Sequence, residues 1–195
     1  MRLRTLLWSG CISAALALCA VPASAATASH QCVAAEPTAA SYTWDFKGEA
    51  NTIFKDIQSE AQDASYHADM LQSIARDPHM TWDAHADELE YLKSDINDIG
   101  AKLCRLQTIR RVVAPWQQNE IDRIVTNTQL MADNTQDAIV FGTTHRNELW
   151  LAAYQKNVNN LEDEATALTH SVGNAVQFAG VSKEYRELRQ DVGGN

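Results

Sequence analysis

WDAHADELEYLKSDINDIGAKLCRLQTIRRVV, residues 82–113, carries its apolar side chains in two columns. Trp82, Leu89, Ile96 and Leu103 form one, and His85, Leu92, Ile99, Leu106 and Val113 the other. The steps alternate three and four residues, which puts both columns on one face of a helix; a strand would need alternation in twos. The segment therefore reads as a helix of about 30 residues, roughly 45 Å long. Its apolar face has to be covered by other parts of the chain.

Three further segments offer the same kind of face. The first helix, Gly48 to Arg76, has columns Phe54, Ala61, Ala68, Ala75 and Ala50, Ile57, Ala64, Leu71, and its alanines allow close approach of a neighbour. Asp45 is placed to cap it, and Asp77-Pro78 to stop it, because the residue before a proline avoids helical backbone angles. Thr81 is placed to cap the second helix, with Asp83 and Asp87 near its positive end. Pro115 fits the opening turn of a third helix, whose seam of Ile121, Ile124, Thr128, Met131, Thr135 and Ala138 is the wettest of the four. That helix ends either at Gly142 or nearer Trp150. The fourth runs on Leu151, Val158, Ala165, Val172, Ala179 and Tyr154, Leu161, Leu168, Ala175, with Gly180 ending or bending it before a short charged tail helix over Ser182 to Asp191. Long amphipathic helices joined by short turns fold most simply as an all-α, up-down-up-down antiparallel four-helix bundle. Trp44, Trp82, Trp116 and Trp150 recur at near-equal spacing, which follows from equal helix lengths with a Trp near each entry.

The first 25 residues stand apart from this pattern. MRLR is a basic start, Leu6 to Val21 an apolar run, and Ala23-Ser24-Ala25 a small-residue cleavage site, so residues 1–25 read as a signal peptide. Leu18 occupies the place where a lipoprotein signal ending at Cys19 would have a small residue, and the apolar run is shorter than the ~20 residues of a spanning helix. Residues 26–47 read as an extended arm, rich in Ala, Thr and Pro, in which Tyr42, Trp44 and Phe46 supply an aromatic lid. Residues 48–195 form the bundle domain. The expected location is the periplasm or the exterior, with no integral membrane segment after cleavage.

Cleavage takes Arg2 and Arg4 from the 16 basic residues, leaving 14 against 25 acidic and a formal charge of −11. Such a charge repels nucleic acid, which excludes it as a partner. Cleavage also leaves two cysteines, Cys32 and Cys104. An even pair in an oxidising compartment, on segments meeting at one bundle end, is expected to form a disulfide; the alternative is two separate thiols with Cys104 packed.

Chemistry is sparsely signalled. No CxxCH for covalent haem, no Glu-x-x-His for a di-iron bundle, and no G-x-S-x-G or H-E-x-x-H occurs. No cofactor is expected from these motifs. The most specific polar feature is His67, His79, His85 and His145, which an antiparallel bundle gathers within a few turns of one end, beside Met70 and Met80. In an exported protein this set suggests Cu or Zn. Arg110 continues an apolar column and needs an acidic partner, for which Glu49, Glu120 and Asp122 are candidates.

LCRLQTIRRVVAPWQQNEIDRI (103–124) and MADNTQDAIVF (131–141) resemble segments of small exported bacterial proteins, a likeness over about Tyr66 to Val192 that implies no activity. Two functional expectations follow. The first is an exported non-enzymatic protein that binds an envelope protein or peptide, and the alternative is metal binding through the histidine end.

Overall fold

A computed structural model describes residues 44–193. The expected signal peptide, most of the expected arm and Cys32 lie outside the described residues. All described secondary structure is helical, in four long helices: α1 (Phe46–Ala75), α2 (Trp82–Ile109), α3 (Pro115–Thr144) and α4 (Ala152–Gly193). A short 3-10 turn, Arg110–Val112, follows α2. The principal packing pairs are α1 with α2 and α4, and α3 with α2 and α4.

The columns read from the sequence are the core. All eight column positions of α1 are buried, as are those of α2 from Trp82 to Val113 and of α3 from Ile121 to Ala138. Leu92 and Leu161 are fully enclosed. In α4 the column positions are buried from Tyr154 to Ala179, and only Leu151, just before the helix, is partly open.

Local signals set most of the boundaries. Asp45 accepts a hydrogen bond from the Gly48 amide at 3.0 Å, so α1 starts at Phe46, two residues earlier than its periodicity indicates. Phe46 packs on the core, while Trp44 stays exposed and donates its indole N–H to Glu49 at 2.7 Å. Pro115 opens α3, and the Gln117 side chain accepts from the Ala114 amide at 2.9 Å. Thr81 holds the position before α2 in extended backbone but makes no side-chain cap. Each described Trp lies within two residues of a helix start.

Neither Gly142 nor Gly180 ends its helix. Gly142 does not end α3, which runs on to Thr144; the glycine is buried beneath the Trp82 indole, and a Cβ there would collide with the ring. Gly180 does not end α4, which continues as one helix of 42 residues through the predicted tail. The third seam is the most polar of the four, with Gln117, Glu120, Thr128 and Thr135 all buried on α3, and Thr128 and Thr135 each donate to the carbonyl one turn back, Ile124 and Met131, at 2.8 and 2.7 Å.

These glycines should answer oppositely to substitution. A Cβ at Gly100 or Gly180 meets nothing within 4 Å. Gly100→Ala and Gly180→Ala are therefore expected to stabilise by roughly 0.5–1 kcal/mol each through helix propensity. Gly142→Ala is expected to destabilise by about 1–3 kcal/mol through overpacking against Trp82. Urea denaturation of the three variants measures all three signs.

Candidate functional site

The four candidate histidines do not converge. His85 is buried in α2, with its Nδ1 2.8 Å from the Tyr154 hydroxyl and the two rings edge to face. His67 lies on the α1–α2 seam, where Nδ1 meets Glu88 at 2.8 Å and the ring stacks on Tyr91. His79 is exposed in the turn between α1 and α2, its amide bonded to Asp77. His145 ends α3, stacked on Phe141 and bonded to the Thr144 hydroxyl. Among the described residues no group of three or more His, Cys, Asp or Glu is placed to hold a metal ion. Nearness along the bundle axis does not make four side chains face one point: one enters the core, one a seam, and two sit on separate turns.

His85 and Tyr154 form a polar layer inside an apolar core. The hydroxyl on the Tyr154 column already called for a buried partner, and sequence reasoning passed over that signal. Burial lowers the His85 pKa below its ordinary 6.5 and raises that of Tyr154, so a neutral imidazole meets a protonated phenol. His85 also lines the floor of a cleft of about 620 Å³ between the α1–α2 turn and the α3–α4 connection, with Arg76, Met80, Trp82 and Trp150 around it. Gln155 ties these parts together, donating to the carbonyls of Ala75 and Leu149 at 2.8 and 2.9 Å.

A second polar row follows the α1–α2 seam. Lys102 pairs with Glu60 at 3.0 Å, and His67 with Glu88, but between them the Asp95 Oδ2 atom is buried without a hydrogen-bond partner. Desolvation first, then the nearby charges of Asp63, Glu60 and Asp98, push the Asp95 carboxyl from 3.8 to about 6, against the opposing effect of His67. Arg110 takes Asp122 as its partner, one of the three candidates, in a two-pronged pair with a 2.8 Å Nε contact; the pair lies at the surface rather than inside. At the start of α1, Arg105 clasps Glu49, which holds that carboxyl below its usual range.

The largest exposed apolar feature is on α4. Phe178, Val181, Tyr185, Leu188 and Val192 are each more than half exposed and fall at steps of three, four, three and four residues. They line one face of the helix from its contact with Trp116, 4.9 Å ring to ring, into a stretch where every residue from Lys183 to Val192 is exposed. Val181 and Tyr185 also wall a cleft of about 480 Å³ against Lys47, Ala114 and Trp116 at the starts of α1 and α3. This stripe was hidden by reading Gly180 as a stop and 182–191 as a charged tail.

No family model matches the chain, and no curated protein or solved structure shows significant similarity to it. No described helix is long and apolar enough to cross a membrane.

The two buried groups should give opposite pH dependences. His85 has a depressed folded pKa, so its neutral form favours folding above pH 6.5, and stability falls as pH drops below that value. The double variant His85→Phe, Tyr154→Phe is expected to remove that decline. Asp95 has a raised folded pKa, so its contribution is greatest below 3.8 and is lost as pH rises through about 6. Asp95→Asn is expected to stabilise at pH 7 by on the order of 1 kcal/mol, after allowance for solvent screening, and to flatten the slope between pH 4 and 6. Urea titrations at a series of pH values measure both.

Proposed function

We propose that this is an exported, non-enzymatic helical-bundle protein that acts by binding another polypeptide through the exposed stripe of α4. The single observation that carries the reading is the 3-4-3-4 row from Phe178 to Val192, which leaves five large apolar side chains more than half exposed on one helical face. Contiguous exposed apolar surface of this kind marks interaction sites in folded proteins. Partner helices read such a row as anchors one turn apart.

The scaffold behind it is an up-down-up-down antiparallel bundle. Contacts support this arrangement, since rising positions on one helix meet falling positions on the next. Glu49, Glu60 and His67 meet Arg105, Lys102 and Glu88. Ala61, Gln72 and Ala75 meet Thr169, Asn159 and Gln155. Export is supported by the leader-like start and the small-residue site at Ala23-Ser24-Ala25, and a Cys32–Cys104 disulfide would then fasten the arm to the last third of α2. The matured protein would work in the periplasm or outside the cell.

The test is carried out on the chain expressed with its leader. A photo-crosslinking side chain replaces Leu188, and a second version replaces Val140, exposed on α3 and away from the stripe. Recovery of a product starting at Ala26, with discrete polypeptide adducts from position 188 and none from 140, is the expected result. Retention in the cytoplasm, or equal diffuse labelling from both positions, would overturn the reading.

A further inference from the structure

The occupant of the α4 stripe can be read from the charges that flank it. In heptad terms Phe178, Tyr185 and Val192 are a positions, and Val181 and Leu188 are d positions. Glu184 and Asp191 then fall at g, and Ser182 and Arg189 at e. In a parallel pair of such helices a g side chain faces the e position of the following heptad on the other strand. Glu184 of one copy would meet Arg189 of the other, twice by two-fold symmetry. An antiparallel pair sets g against g, acid on acid, and so is disfavoured.

Three of the four remaining charges of the segment are used within the helix. Lys183 pairs with Glu187 at 3.8 Å, and Arg186 donates to the Ser182 carbonyl. Glu184 and Arg189 have no ion pair among the described residues. From these observations we infer that α4 pairs in parallel with α4 of a second copy of this chain, through Val181, Tyr185, Leu188 and Val192, with reciprocal Glu184–Arg189 ion pairs fixing the direction.

The bundle does not obstruct this pairing. At 100° per residue the centres of the stripe and of the bundle-facing row (Leu168, Val172, Ala175, Ala179) lie roughly 130° apart on α4. The second helix and the protomer's own core therefore occupy different faces, with Phe178 at the border where it meets Trp116. The association is modest. Five half-exposed side chains per copy bury on the order of 1,000 Å² in total, the low end for a specific interface. A self-complementary face meeting its copy closes as a dimer and does not propagate.

This inference rests on the proposed use of the α4 stripe, and the experiment separates the two. Sedimentation velocity of the exported, matured chain is run from roughly 5 to 500 µM, a range matched to micromolar association. A monomer–dimer equilibrium is expected, weakened at least about tenfold in Leu188→Glu, whose exposed position leaves helicity by circular dichroism unchanged. Glu184→Arg and Arg189→Glu should each weaken it, and the double variant should restore it. A monomer at every concentration, or a dimer indifferent to Leu188→Glu, would overturn the inference. If the chain is monomeric while position 188 still yields discrete adducts with other polypeptides, the interaction reading stands and the second copy is ruled out as occupant. If the single charge variants weaken the dimer and the double variant does not restore it, the parallel arrangement is wrong.

Discussion

The close approach of α1 to its neighbours is the constraint on which the other packing depends. Five of the eight buried positions of α1 are alanines, Ala50, Ala61, Ala64, Ala68 and Ala75. Small side chains let α4 come near enough for its own polar groups to reach the α1 backbone: the Thr169 hydroxyl donates to the Ala61 carbonyl at 2.9 Å, and Gln155 donates to that of Ala75. Larger residues along that row would hold the helices apart and leave both side chains without these acceptors. The bulk missing from α1 is supplied across the core by Leu89, Leu92, Ile99, Leu106, Tyr154, Leu161 and Leu168. Alternation of small and large faces gives interdigitation, and interdigitation rather than total hydrophobicity fixes which helix faces which.

Polar groups that the bundle does bury are handled in three ways. Thr128 and Thr135 turn back on their own helix. Gln117 bridges to another helix, donating to the Lys47 carbonyl and to Asn51. His85 and Tyr154 satisfy each other, and Glu120 receives the Ser171 hydroxyl. Asp95 is the exception, half-enclosed among other acids with one oxygen unmatched, and burial first, then those neighbouring charges, push its carboxyl up to about 6.

Helix positions and core faces were legible because each segment keeps its three-four rhythm for at least four turns, and burial follows that rhythm almost residue for residue. The histidine grouping was not, because sequence order fixes height along a bundle but not azimuth. His67, His85 and His145 have different ring partners, Glu88, Tyr154 and Phe141. Glycine misled for a related reason. Gly142 and Gly180 look alike in sequence, but one exists to seat an indole and the other stands in open space. Only the neighbour distinguishes them. Arg110 shows the intermediate case: its need for an acid was readable and Asp122 was among the candidates, whereas its position at the surface depended on the 3-10 turn that rotates it off the column.

That α4 stays helical beyond Gly180 follows from where its cost of nucleation is met. Starting a helix is unfavourable and extending one is nearly neutral for good helix formers. The turns of α4 from Tyr154 to Ala179 are held by core packing, so KEYRELRQ at 183–190 needs only to propagate. Six of those eight residues are Lys, Glu, Leu or Arg, strong helix formers, and Lys183–Glu187 adds an i,i+4 pair. A glycine at 180 costs about 1 kcal/mol in such a helix, well short of what would break it. Propagation alone explains the helix but not its apolar row. A solvated extension would be equally stable with polar residues at 188 and 192, where large apolar side chains lower solubility and lie among residues that are all exposed. The row makes physical sense when a second surface covers it, and the charges beside it decide which surface fits.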